Sequence, residues 1–258
     1  MDKKIRRCLS LLLVAAMVVT GLDFVPAKAA ETTYTSGDYT YTLNGDDEAT
    51  ITKYDGNASY VAIPSTLDGK QVVGIGDGVF QDKKTITGVN IPEGIKTIGY
   101  KAFAGTKLTE LKFPSTLERI GYSVIYGVTG VTSVNIPKGL KTADGWGDDG
   151  PFAGSKVNKV TFESGMTKIP DNMMTNCKEL KTVTIPDTVQ EIGTYAFDFC
   201  SSLEKIEIPR IVKTIGHDAF AHTNLQELNL PSSLEKIGYS IIYGVTGVTS
   251  VNIPKGLK

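Results

Sequence analysis

A seven-residue phrase, apolar-x-x-apolar-x-apolar-Pro, recurs along this chain and limits its possible folds more than any other feature. It reads ITGVNIP from residue 86, LTELKFP from 108, VTSVNIP from 131, LKTVTIP from 180, LEKIEIP from 203, LQELNLP from 225 and VTSVNIP again from 248. VNKVTFE from residue 157 is the same phrase with Glu163 at the proline position, and YVAIP, ending at Pro64, is a degenerate earlier copy. From residue 86 onward, successive copies begin 22, 23, 26, 23, 23, 22 and 23 residues apart. A period of this length belongs to a stack of similar coils, each unable to cover its own apolar side and each buried by the next.

The chemistry of one unit explains the stacking. Alternating apolar residues such as Val183 and Ile185 turn one side of a short strand inward, and Pro186, with no N–H to donate, ends it. A second signature follows about ten residues after the proline: KTIGYKAF (96–103), ERIGYSVI (118–125), QEIGTYAF (190–197), KTIGHDAF (213–220) and EKIGYSII (235–242). Here Ile192 begins a return leg and Ala196-Phe197 offers a small and then a large apolar group to the interior. Gly193 suits a corner with φ > 0.

A longer period lies over the short one. Residues 91–141 align with 208–258 at a constant offset of 117, and residues 121–141 and 238–258 differ only at Val124 against Ile241. Arrays grow by duplication of whole blocks, so the second block halts inside a copy, VTSVNIPKGLK, that has no return leg. That rung is expected to be open-ended or to continue into further sequence.

The first 29 residues read differently. Lys3, Lys4, Arg6 and Arg7 precede an uncharged apolar run from Cys8 to Leu22, and Ala27-Lys28-Ala29 supplies a small-x-small site. This is the pattern of a secretory signal peptide; the run is shorter than the roughly 20 residues a membrane span needs. Its removal takes the basic residues from 27 to 22 and the acidic ones from 28 to 26, leaving a net charge of −4. With no basic cluster, the exported chain has no electrostatic footprint for nucleic acid, and no inserted membrane segment is expected. Residues 30–59 read as a cap: Tyr39, Tyr41 and Leu43 alternate with threonines, Asn44 to Asp47 make a turn, and Ala49 to Thr52 form the returning strand. Residues 60–258 are then the repeat array.

The complete pattern in IPDTVQEIGTYAFDFCSSL (185–203) resembles the BspA-like, or treponemal-type, leucine-rich repeat of bacterial surface proteins. The resemblance covers residues 61–258. It implies a mostly β, curved solenoid of short parallel strands, 22–26 residues per repeat, with an N-terminal β-hairpin cap. It further implies a secreted or cell-surface location, a non-catalytic role, and adhesion to a protein of a host or neighbouring cell. It carries over no catalytic residues and no cofactor.

The outward strand positions are the candidate contact face. One ladder holds Asn90, Lys112, Asn135, Thr161, Thr184, Glu207, Asn229 and Asn252; the adjacent one holds Gly88, Glu110, Ser133, Lys159, Thr182, Lys205, Glu227 and Ser250. This polar, mixed-sign surface lacks an aromatic stripe and suits a wet protein interface better than a sugar-stacking platform, though it is also what ordinary solvated sheet looks like. The insertion TADGWGDDGPFAGS (142–155) carries Trp146, the only tryptophan, which at a loop tip would anchor a partner. Asp144, Asp148 and Asp149 match no ordered calcium loop, and a plain surface bulge is the simpler reading.

Cys177 and Cys200 lie one 23-residue repeat apart. Equivalent positions on adjacent rungs sit about 4.8 Å apart, which permits a disulfide in an exported protein, yet side chains pointing the same way make poor disulfide geometry. Two small buried thiols are the other reading, and two sulfurs alone make no zinc site. His217 and His222 fall in one corner and read as solvated loop residues. No hydrolase, zinc-protease or phosphate-loop motif occurs. A second reading of the whole makes the array the N-terminal scaffold of a larger exported enzyme or wall-anchored protein.

Overall fold

A computed structural model describes residues 31–145 and 149–254. The signal-peptide reading of residues 1–29 and the anchor reading of Trp146 lie outside the described residues. Residues from 33 onward form one compact unit.

This unit begins with three antiparallel strands, β1 (Thr33–Ser36), β2 (Tyr39–Leu43) and β3 (Ala49–Tyr54). The Asn44 side chain builds the turn between β2 and β3, its Oδ1 accepting from the backbone N–H groups of Asp46 and Glu48 at 3.0 and 2.9 Å. Asp47 takes the left-handed conformation there, at φ 65°. The hairpin then does what a cap must. Its last strand, β3, pairs in parallel with Lys70–Ile75, the first return leg of the coil, and covers that coil with Tyr41, Ala49 and Ile51.

Each later repeat is one turn of a three-sided coil, hydrogen-bonded to its neighbours. On the first side the proline-terminated strands pair in parallel: Tyr60–Ala62 with Gly88–Asn90, Ser133–Ile136 with Lys159–Phe162 and Thr182–Thr184, and Leu228–Asn229 with Val251–Asn252. On the second, the return legs form two parallel ladders. One runs through Thr97–Ile98, Arg119–Ile120 and Thr142–Ala143; the other runs from Lys168–Ile169 to Lys236–Ile237. On the third, turns bond rung to rung: Phe103 N–H donates to Val124 O at 2.9 Å and Phe197 N–H to Ala219 O at 2.9 Å. Backbone polar groups inside such a coil are thus satisfied by the next turn rather than by water.

The interior is a continuous apolar column. Phe80 stacks on Phe103 with ring centroids 5.2 Å apart, and Phe197 on Phe220 at 5.8 Å. Where neighbouring rungs both carry phenylalanine at this position, each ring is buried against the same group of the next rung.

Gly193 does not occupy the left-handed region. The residue that does is two positions later, Tyr195 at φ 56°, with Phe199 at φ 56° completing the corner. Gly193 is required for a different reason: a Cβ there would lie 2.6 Å from Asp171 N and 2.8 Å from Ile169 O on the preceding rung. Gly121, Gly216 and Gly238 meet the backbone of the rung before them in the same way, at 2.4–2.5 Å. The glycine of each IG pair sets the spacing of the stack.

Candidate functional site

The proline-terminated strands bring the outward residues of successive rungs into register. Ser133, Lys159 and Thr182 face one another across adjacent strands, and so do Asn135, Thr161 and Thr184. Asn229 pairs with Asn252 in the same way. All are exposed except Thr161, which is half-buried. Asn90, Lys112, Lys205, Glu207 and Glu227 are exposed as well. Charges on this face pair within their own rungs rather than across them, Lys112 with Glu110 at 3.0 Å and Lys205 with Glu207 at 3.6 Å. Such exposed pairs are screened by water and add little to stability, leaving them free to exchange partners.

Eight equivalent strands are expected from the sequence, but the ladder comes in three pieces. Residues 110–112 and 205–207 lie outside any strand, so Ser133–Ile136 pairs only with Lys159–Phe162. At the first break the face opens into a cleft of about 340 Å³. Glu110 to Phe113 line it together with Ser133, Asn135 and Glu163. Repeat periodicity gives no sign of this opening, because both flanking segments fit the seven-residue phrase.

The two cysteines are free and buried. The disulfide reading is corrected accordingly: both side chains lie in the core as free thiols, and the Cys200 thiol contacts the Met174 carbonyl oxygen at 3.2 Å. Burial pushes both thiols well above the ordinary cysteine range, so neither is a nucleophile at neutral pH.

The histidines are also not simple solvated residues. His217 Nδ1 accepts from Tyr239 N–H at 3.0 Å, and its ring lies 3.7 Å from that of Tyr239. His222 Nδ1 lies 2.9 Å from Oδ1 of Asp198, a carboxylate 6% exposed, and the imidazole stacks on Phe199 at 4.0 Å. Burial raises the Asp198 carboxyl above its usual range, against the opposing pull of the His222 hydrogen bond. The partner was hidden in sequence because it lies 24 residues away, on the neighbouring rung. With its ring stacked on Phe199 and edge-on to Tyr243, His222 ties rungs together.

In the insertion, Asp144 is held by Arg119 through contacts of 2.9–3.2 Å, and Asp149 accepts from Asn176 Nδ2 at 2.9 Å. These two carboxylates therefore fasten the enlarged loop to adjacent rungs. Among the described residues no group of three or more His, Cys, Asp or Glu side chains could hold a metal ion. Nor is any helix among them long and apolar enough to cross a membrane.

A triangular coil of parallel strands, 22–26 residues per turn and closed by a hairpin, is a leucine-rich-repeat solenoid. Residues 54–146 and 148–258 match the profile of the BspA type leucine rich repeat region, in six copies, and the chain belongs to that family. Among solved structures it is similar to a leucine-rich cell-surface protein of Faecalibacterium prausnitzii, at 26% identity and a TM-score of 0.54, covering 87% of this chain and 55% of that one. It is also similar in fold to a leucine-rich repeat protein of Bacteroides ovatus, at 23% identity and a TM-score of 0.51, covering 90% of this chain and 65% of the other. The chain thus spans less than two thirds of the length of either. No curated protein matches it.

Proposed function

We propose that this protein is a non-catalytic binding module that acts at the surface of, or outside, a bacterial cell, and that the proline-terminated strand face contacts a partner protein. The observation that carries this reading is the register of that face, where parallel strands line up hydroxyl, amide and charged groups across several rungs. Contact of that kind is shallow and multivalent, with affinity spread along the array. Export is supported by the pattern of residues 1–29, and a surface role by the likeness to the F. prausnitzii cell-surface protein.

The test uses beads coated with the full chain and adherence to a cell monolayer. Reversal of charge at Lys159 and Glu207 should reduce adherence while leaving the thermal unfolding midpoint unchanged. Unaltered adherence would exclude the strand face as the contact surface. The second reading, a repeat scaffold within a larger exported or wall-anchored protein, is favoured by the greater length of both similar chains. Its check is the molecular mass of the product in the native cell.

A further inference from the structure

The cleft at the first break of the strand face has an internal control. Residues 131–137 and 248–254 are the same sequence, VTSVNIP, and each follows a rung of the same type, 108–114 and 225–231. In the second block they join the ladder, Leu228 opposite Val251 and Asn229 opposite Asn252. In the first, the equivalent pairing of Leu111 with Val134 and Lys112 with Asn135 is not made. The preceding rungs differ at three positions, with Thr109, Lys112 and Phe113 in place of Gln226, Asn229 and Leu230, and the first copy is also paired on its other side with Lys159–Phe162. Phe113 is half-buried and reaches the ring of Phe152, 6.1 Å away on the next rung, whereas Leu230 is buried.

From this we infer that the cleft is a binding site for an extended peptide segment of a partner protein, bearing an arginine. The inference rests on the strand face being the contact surface. Two features define the occupant. The side of Ser133–Ile136 facing residues 110–112 makes no ladder pairing, so it offers backbone groups to an added strand. The lining carries Glu110 and Glu163 against Lys112, an excess of negative charge beside the apolar groups of Leu111 and Phe113. An arginine lays its methylenes on Leu111 and Phe113 and offers its planar donors to the carboxylates. Glu110 is bridged to Lys112, and Glu163 Oε2 accepts from Lys138 N–H at 3.2 Å, so the arginine competes with one exposed ion pair and shares the other carboxylate.

The test titrates the isotopically labelled full chain with a capped peptide of alternating threonine and valine carrying a central arginine, and with its glutamate counterpart. The expected result is chemical-shift change at residues 109–113 and 133–136, with binding at least about tenfold weaker for the glutamate peptide. Phe113→Leu, which restores the residue of the second block, and Glu163→Gln should each weaken binding of the arginine peptide. Circular dichroism and the unfolding midpoint establish that both variants fold. Shifts confined to the strands around Lys159 and Thr184, indifferent to Phe113→Leu, would overturn the cleft while leaving the strand-face reading intact. No shift up to about 1 mM peptide would overturn the cleft too, and the adherence of the Lys159 and Glu207 variant would then decide the broader reading separately.

Discussion

Residues 121–136 and 238–253 are one sequence in two surroundings, differing only at Val124 and Ile241. In the first block, rungs on both sides cover the segment: Val128 and Val131 are fully buried, and Val134 and Ile136 are 2% and 0% exposed. In the second, the described residues place a neighbour on one side only. There Val245, Val248 and Val251 are half-buried, Ile253 is 66% exposed, and the four-residue strand Ser133–Ile136 shrinks to Val251–Asn252. The chain's own preferences are equal in the two copies, so the difference belongs to the neighbour. Burial in a solenoid is conferred between rungs, and stability is the sum of those interfaces. The opposite end shows the alternative solution, where β2 and β3 cover the first coil with a structure outside the repeat.

Substitutions at matched positions sharpen this contrast. Ile136→Ala should cost about 3 kcal/mol by urea unfolding, from lost burial and the cavity left between two rungs. The matched Ile253→Ala should cost less than about 0.5 kcal/mol, because that side chain already meets water. Equal losses would break the comparison. A smaller effect is expected at the stacking glycines. Gly121→Ala places a Cβ 2.5 Å from Tyr100 N and should destabilise the whole array by about 2 kcal/mol. Gly238→Ala makes the same kind of clash with His217 N but should loosen only the rungs from Leu225 onward, leaving the main unfolding transition in place.

The smallest effect concerns Asp198, which the first block replaces with Gln81 at the same offset. Burial raises the Asp198 carboxyl in the folded state, so ionisation there opposes folding. Its contribution to stability is therefore present below the unfolded carboxyl range near 3.9 and is lost as pH rises through the folded value. Asp198→Asn should raise the unfolding midpoint at pH 7 relative to wild type by more than at pH 4, by about a degree or two. His222, Asp218 and the backbone N–H of Phe199 face this carboxyl, so His222→Gln in the same background separates their share.

The matched copies also show what was legible in the sequence. The inward phenylalanines, the Asn44 turn and the proline-terminated strands other than those at 110–112 and 205–207 follow from local pattern. What sequence reading missed lies between rungs. The pairs Asp198 with His222, Arg119 with Asp144 and Lys156 with Glu179 are 24, 25 and 23 residues apart. A search at one repeat spacing would have found them; a search for nearby partners could not. The role of Gly193 was misplaced for the same reason, because what excludes a side chain there is the backbone of the previous coil. The opening beside Phe113 lies between two segments that both fit the seven-residue phrase, so no single-repeat pattern reveals it.

Native-state hydrogen exchange, followed on peptides that the Val124 and Ile241 masses distinguish, tests the central claim most directly. If neighbours confer stability, amides of residues 133–136 should exchange at least about a hundredfold more slowly than those of 250–253. Equal protection in the two copies would place stability within each repeat and contradict the account.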